Sequence, residues 1–233
     1  MNDNELNQYL ATYVKTFDLI GFRGREFVSK LIVHMEKKAI KNKDIHIDPK
    51  ISHVGIVVEG KDLQEYHDCS LHSAIDVNKI YIFESTATGR IIDKVKDVYG
   101  KYFFGAQLRD LKKVISSYKG CVFHSSKLFP VTREQVKLFV EFVQEYNHRP
   151  YEKSCRSLFG NICRCIEIRE NTDSVFCSEL VSLALINSGV LANTVNPELV
   201  VPLDFYPDPI NIGRTLDVDG EIPLIYSDPV AMK

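Results

Sequence analysis

The chain lacks an excess of charge of either sign. Its 29 lysines and arginines meet 31 acidic residues, leaving a formal charge of −2 over 233 residues. Such a balance gives no broad field to draw in nucleic acid, so no nucleic-acid partner is expected. Also missing is any apolar run near the ~20 residues that a membrane-spanning helix needs. The opening stretch MNDNELNQYLATYVK carries acids and amides where a secretory leader would carry positive charge and then an apolar run. The expectation is a cytoplasmic protein. No internal repeat or low-complexity segment is present, which excludes a solenoid. Six cysteines stand at 69, 121, 155, 163, 165 and 177 without a Cys-x-x-Cys pair. In a reducing compartment, a chain of this length reads as carrying free thiols rather than staples.

What is present is ordinary globular material, 45% hydrophobic and 26% charged, enough to fill a sizeable core. The length favours one domain over residues 1–233. An N-terminal helix (about 1–16), an inserted loop (about 147–170) and an extended C-terminal wrap (about 190–233) would elaborate it. The wrap holds six of the nine prolines.

Leu6, Leu10, Tyr13, Val14 and Phe17 fall on one helical face, and FDLIGFRG reads as a short strand ending in a glycine turn. REFVSKLIVHMEKKAIK has helical spacing at Phe27, Leu31, Ile32 and Met35. SHVGIVVEG, VNKIYIFEST and GCVFHSSKL are strand signals, and the polar stretch KDLQEYHDCSLHSAID reads as a long loop. Thr132 followed by Gln135 is a capping box, opening a helix with Val136, Phe139, Val140, Val143 and Tyr146 in a stripe. SVFCSELVSLALINSG is apolar nearly all round and should be a buried central helix. Asp173 or Ser174 could cap its start, and Gly189 could close it.

Cys177 falls in the first turn of that helix. A thiolate there meets unpaired backbone N–H groups and the positive end of the helix dipole, which lowers a thiol pKa from about 8.5. The same amides can stabilise an oxyanion. The plainer reading of a cysteine in an apolar helix is core packing. His53 opens one strand and Glu84 closes another. If the strands pair antiparallel with Val58 opposite Lys79, His53 falls opposite Glu84. A glutamate, an imidazole and a thiol in that order are the orienter, base and nucleophile of a cysteine hydrolase. Taken singly, the histidine is more simply a solvated strand end.

FDLIGFRG followed by a helix, then SHVGIVV, FESTATG, RPYE and FCSELVSLALINSG, resembles the circularly permuted papain-like hydrolases. These are the YiiX-like branch of the NlpC-type superfamily, with its poxvirus and lecithin retinol acyltransferase-like branches. The resemblance runs from about Phe17 to about Val190. It implies an α+β fold, a small antiparallel sheet packed on the helix that bears the nucleophile. It makes Cys177 the nucleophile, His53 the base and Glu84 the orienting residue, with Tyr151 near the oxyanion. Glu152 stands where the family more often has Asp, and a Cys-rich insertion follows, so the substrate class stays open.

Three functions remain at this point. The first is a peptidase or amidase working through a thioester. A second is a lipid acyl-ester hydrolase or acyltransferase, with peripheral membrane contact through the basic insertion (Arg149, Lys153, Arg156, Arg164, Arg169). Last comes a silent interaction module of the same fold. No cofactor is expected. His148 with Cys155, Cys163 and Cys165 matches no strong zinc spacing, so no metal is expected either. Cys121 and His124 are three apart on a strand and should leave opposite faces. His34, His46, His67 and His72 have no evident partner.

Overall fold

The computed structural model describes residues 1–23, 51–66, 74–86, 95–150, 176–200, 202–205 and 230–232. Among these, the order is α1 (Asp3–Tyr13), β1 (Leu19–Arg23), β2 (His53–Glu59), α2 (Gly60–Tyr66), β3 (Ile80–Thr86), β4 (Gly105–Asp110), α3 (Leu111–Ser117), β5 (Cys121–Ser125), α4 (Arg133–Tyr146), α5 (Cys177–Asn187) and β6 (Val230–Ala231). Two 3-10 turns, Pro197–Leu199 and Pro202–Phe205, follow α5. The fold is α+β, and its sheet has six strands in the order β4-β3-β2-β1-β5-β6, with every pairing antiparallel. That is more than the small sheet expected. β4 and β6 were not anticipated, and α2 occupies part of the stretch read as a loop.

Helices cover both faces of the sheet. Val54, Ile56, Val58, Tyr81, Phe83 and Leu108 pack on one side with Leu63 of α2 and the buried faces of α4 and α5. On the other side Ile20, Phe22, Val57, Ile82 and Val122 pack with Leu6 and Leu10 of α1 and with α3. Double coverage explains why β2 reads as a continuous apolar run instead of an alternating one. No helix among the described residues is long and apolar enough to cross a membrane.

The helix ends follow their sequence signals. Thr132 Oγ1 accepts from Gln135 N while the Gln135 side chain accepts from Thr132 N, the expected capping box. Tyr13 departs from expectation and is exposed, and Phe17 lies beyond the end of α1. α5 is the buried helix its composition indicated, with Leu180, Val181, Ala184 and Leu185 fully covered. Ser178 and Ser182, buried on the same helix, donate their hydroxyls to Val200 O and Ser178 O, so neither leaves an orphan polar group. Gly189, at φ 69°, closes the helix, with its own N–H on Ile186 O and Val190 N–H on Leu185 O. This is a Schellman ending, whose left-handed turn favours glycine.

Candidate active site

His53 is the first residue of β2, and its partner on β3 is set by register. The ladder pairs Ile56 with Phe83, Val58 with Tyr81 and Glu59 with Ile80. The expected pairing of Val58 with Lys79 was therefore two residues out. A slip of two preserves the side-chain face, so His53 and Glu84 still share a face and meet diagonally instead of directly. His53 Nε2 lies 2.6 Å from Glu84 Oε2. Continuing the same register puts Gly55 directly across from Glu84. A Cβ at Gly55 would stand 3.0 Å from Glu84 Cβ and 2.6 Å from Ile82 Cδ1. A glycine there leaves room for the diagonal contact.

Cys177 is the first residue of α5, after Phe176 at the N-cap position. Phe176 supplies no side-chain cap; its N–H donates to Glu179 Oε2 at 3.0 Å. Asp173 and Ser174, expected as caps, lie outside the described residues. The Cys177 thiol is within interaction range of His53 and of the backbone N–H groups of Val54 and Ser178. Since Nε2 faces Glu84, the other ring nitrogen, Nδ1, is the one left to face the thiol. α5 packs on one face of the sheet, whereas alternation assigns His53 and Glu84 to the face of Val57 and Ile82. Sulfur and ring meet at the end of β2, beyond the last β2–β3 pair, Ile56 with Phe83.

The surroundings determine the charge on each group. Burial disfavours the imidazolium, but the Cys177 thiolate and the Glu84 carboxylate outweigh it and raise His53 to about 10. Burial also pushes the Glu84 carboxyl up. The Arg109 guanidinium and then His53 overcome that and hold it at about 2. For Cys177, burial again opposes charge, while His53 and the Val54 and Ser178 amides bring the thiol below its ordinary value. These shifts favour the charged forms of His53 and Glu84 and draw the Cys177 thiol toward its thiolate, in line with the Arg109 guanidinium beyond Glu84. Glu84 is 1% exposed and Cys177 7%, while His53 keeps 21% of its side chain open to solvent.

Arg109, on β4, had not been singled out from the sequence. Its Nε and Nη2 both donate to Glu84 Oε1, at 3.1 and 2.7 Å. An arginine two positions after a glutamine on a strand was the one available signal, since polar residues on a covered face need partners. Tyr151 lies outside the described residues, as do Cys69, Cys155, Cys163, Cys165, His34, His46, His67 and His72. His148, weighed as a zinc ligand, is paired with Asp97, its Nε2 2.6 Å from Oδ2. Arg149, expected on a solvated loop, stacks over the Tyr146 ring at 3.6 Å and bonds Glu145. Cys121 is exposed and His124 is buried, the opposite-face arrangement expected of them. Among the described residues, no group of three His, Cys, Asp or Glu side chains could hold a metal.

Fold and site together define an α+β chain in which a helix-terminal cysteine, a strand histidine and a buried carboxylate–arginine pair converge. No protein-family model matches the chain, and no curated protein matches it. Among solved structures it is similar to the metalloprotein YiiX from Escherichia coli O157:H7. The two are 20% identical, the match covers 79% of this chain and 77% of that one, and the TM-score is 0.44.

Proposed function

We propose that the protein is a cysteine hydrolase that opens an amide bond through a thioester on Cys177. His53 acts as acid and base, and Glu84 orients it. One observation carries the reading: a single imidazole bonds the Cys177 side chain on one edge and Glu84 Oε2, at 2.6 Å, on the other. The histidine strand preceding the cysteine helix in the chain suits the circularly permuted papain-like arrangement.

In this reading the Cys177 thiolate attacks the acyl carbon, forming a C–S bond and a tetrahedral oxyanion. Amide donors at the start of α5 are suitably charged to meet that oxyanion. The His53 imidazolium protonates the departing amine as the C–N bond breaks, leaving a thioester and a neutral ring. His53 then takes a proton from water as hydroxide attacks the thioester, and cleavage of the C–S bond releases the acid and restores the thiolate and the imidazolium. Glu84 keeps the ring in one orientation and stabilises its charged form.

A second reading, hydrolysis or transfer of a lipid acyl ester by the same residues, is favoured by one surface feature. Tyr99, Tyr102 and Phe104 are exposed in the segment leading into β4, with Lys96 set over the Tyr102 ring at 5.5 Å. β4 begins opposite Thr86, the last residue of β3, at the end of the sheet where His53 lies. Exposed aromatics beside a lysine suit an interfacial substrate.

The test is labelling by an iodoacetamide probe, read by peptide mass spectrometry, with hydrolysis measured on peptide amides and on acyl esters in vesicles. Cys177 should label fastest. Cys177→Ala should lose both labelling there and hydrolysis, while Cys121→Ala keeps them. Turnover of amides without vesicle esters supports the first reading, and the converse supports the second. A Cys177 that labels no faster than Cys121, with neither substrate turned over, would leave a silent module of the same fold.

A further inference from the structure

Glu84 is a carboxylate in an almost closed environment, and its two oxygens have different partners. Oε2 faces His53 Nε2 at 2.6 Å. Oε1 receives both Nε–H and Nη2–H of Arg109, at 3.1 and 2.7 Å. The guanidinium is itself only 3% exposed, and its Nη1 reaches Val95 O at 3.4 Å. It is therefore anchored from the far side and does not swing in solvent. Strand register explains the placement. β4 pairs Arg109 with Ile82, and Gln107 with Glu84, so Arg109 approaches Glu84 diagonally. His53 approaches the same residue diagonally from β2.

A carboxyl group this deeply covered would ordinarily take up a proton, because burial disfavours its charge. A protonated Glu84 would still hydrogen-bond but would carry no charge to stabilise the His53 imidazolium. Rotation of an unanchored carboxylate would also move Oε2 off the ring. A planar fork that places two donors on one oxygen prevents both changes. An ammonium, a single point charge, could supply the charge but not fix the rotation.

We propose that Arg109 is a positioning residue of the Cys177 site. It keeps Glu84 ionised and turns Oε2 toward His53, so that the thiolate–imidazolium pair persists into acid. The inference rests on the reading of Cys177 as a nucleophile poised by His53.

The experiment follows iodoacetamide alkylation of Cys177 against pH in the whole chain. The proteins compared are the wild type, Arg109→Lys, Arg109→Met, Glu84→Gln and Glu84→Gln/Arg109→Met, with folding checked by circular dichroism. The wild type should alkylate well below the ordinary thiol midpoint of about 8.5. Arg109→Met should move the acid limb up by about one pH unit or more, a roughly tenfold loss of rate on that limb. Arg109→Lys should keep part of the limb but react more slowly across it. In the Glu84→Gln background, Arg109→Met should add less than about twofold, because coupled residues are not additive. If Arg109→Met does not fold, Arg109→Lys and the double variant, which removes both buried charges, decide the matter. An ordinary thiol profile in the wild type overturns the reading of the site itself. A depressed wild-type profile that Arg109→Lys and Arg109→Met leave in place overturns only the role of Arg109, as does full additivity with Glu84→Gln.

Discussion

The sheet carries two histidine–carboxylate pairs whose surroundings differ. At the end of β2, His53 stands between Glu84 and the Cys177 thiol. Across β1 and β5, His124 Nε2 donates to Asp18 Oδ2 at 2.9 Å, and its Nδ1 shares a hydrogen bond with the Tyr9 hydroxyl at 3.0 Å. Asp18 also takes the backbone N–H groups of Lys15 and Lys127, and the Lys127 ammonium stands 3.5 Å away. His124 is 2% exposed, whereas His53 keeps an open edge. Both rows fix an imidazole by the same means, but the first ends on a cysteine side chain at the N-terminus of a helix. The second ends on a phenol that sits on α1 and ties that helix to the sheet. A histidine–carboxylate pair is therefore no mark of chemistry by itself, and under the proposed function the third member sets the two rows apart.

The sharpest way to break this contrast is to remove each imidazole in turn. His53→Ala should lower turnover by about 10²–10⁴-fold, the range for loss of a general acid–base. His124→Ala should leave turnover and Cys177 labelling nearly intact but cost about 1–3 kcal/mol of stability, since it strips a buried carboxylate of one donor. Steady-state rates and urea titrations on both variants check this. Equal losses of activity in the two would erase the distinction.

Acid should act next, through the first row. The folded protein holds Glu84 at about 2, against 4.5 for the unperturbed group. Its contribution is thus complete above about 4.5 and drains away as pH falls toward 2. The shift corresponds to roughly 3 kcal/mol, at about 1.4 kcal/mol per unit. Urea unfolding at stepped pH should show that slope in the wild type and lose it in Glu84→Gln. His53 has the opposite sign. Its contribution is full below 6.5 and is lost as pH rises through about 10. A wild-type acid slope that survives Glu84→Gln would assign the effect elsewhere.

The legibility of each region tracks how local its determinants are. The α4 capping box, the glycine ending of α5 and the position of Cys177 at its N-terminus rest on neighbours within a turn, and the sequence displays them. The face shared by His53 and Glu84 was legible too, because strand side chains alternate with period two. Their register was not, since no tight turn joins β2 to β3. β4 escaped notice because two of its polar residues, Gln107 and Arg109, point to a covered face and make GAQLRD look like a loop. Arg109 was missed with it. α2 is short, with Leu63 its one large buried side chain, so it gave little helical period. The Asp18–His124 contact spans 106 residues of chain, and nothing local announces it.

The smallest expected effect is also the most discriminating. Tyr9→Phe keeps the ring that packs against Tyr13 and removes only the hydroxyl on His124. The cost should be about 1 kcal/mol, that of one hydrogen bond, measurable as a shift in the urea midpoint. The alkylation profile of Cys177 should not move. There is nonetheless a route by which it could. Asp18 directly precedes β1, and Phe22, four residues on, has its ring 5.3 Å from that of His53. A rigid β1 would transmit a loosened Asp18 end to the His53 end. An unchanged profile in Tyr9→Phe would show that the strand insulates the two rows. A shifted one would make α1 docking part of how the thiol is poised.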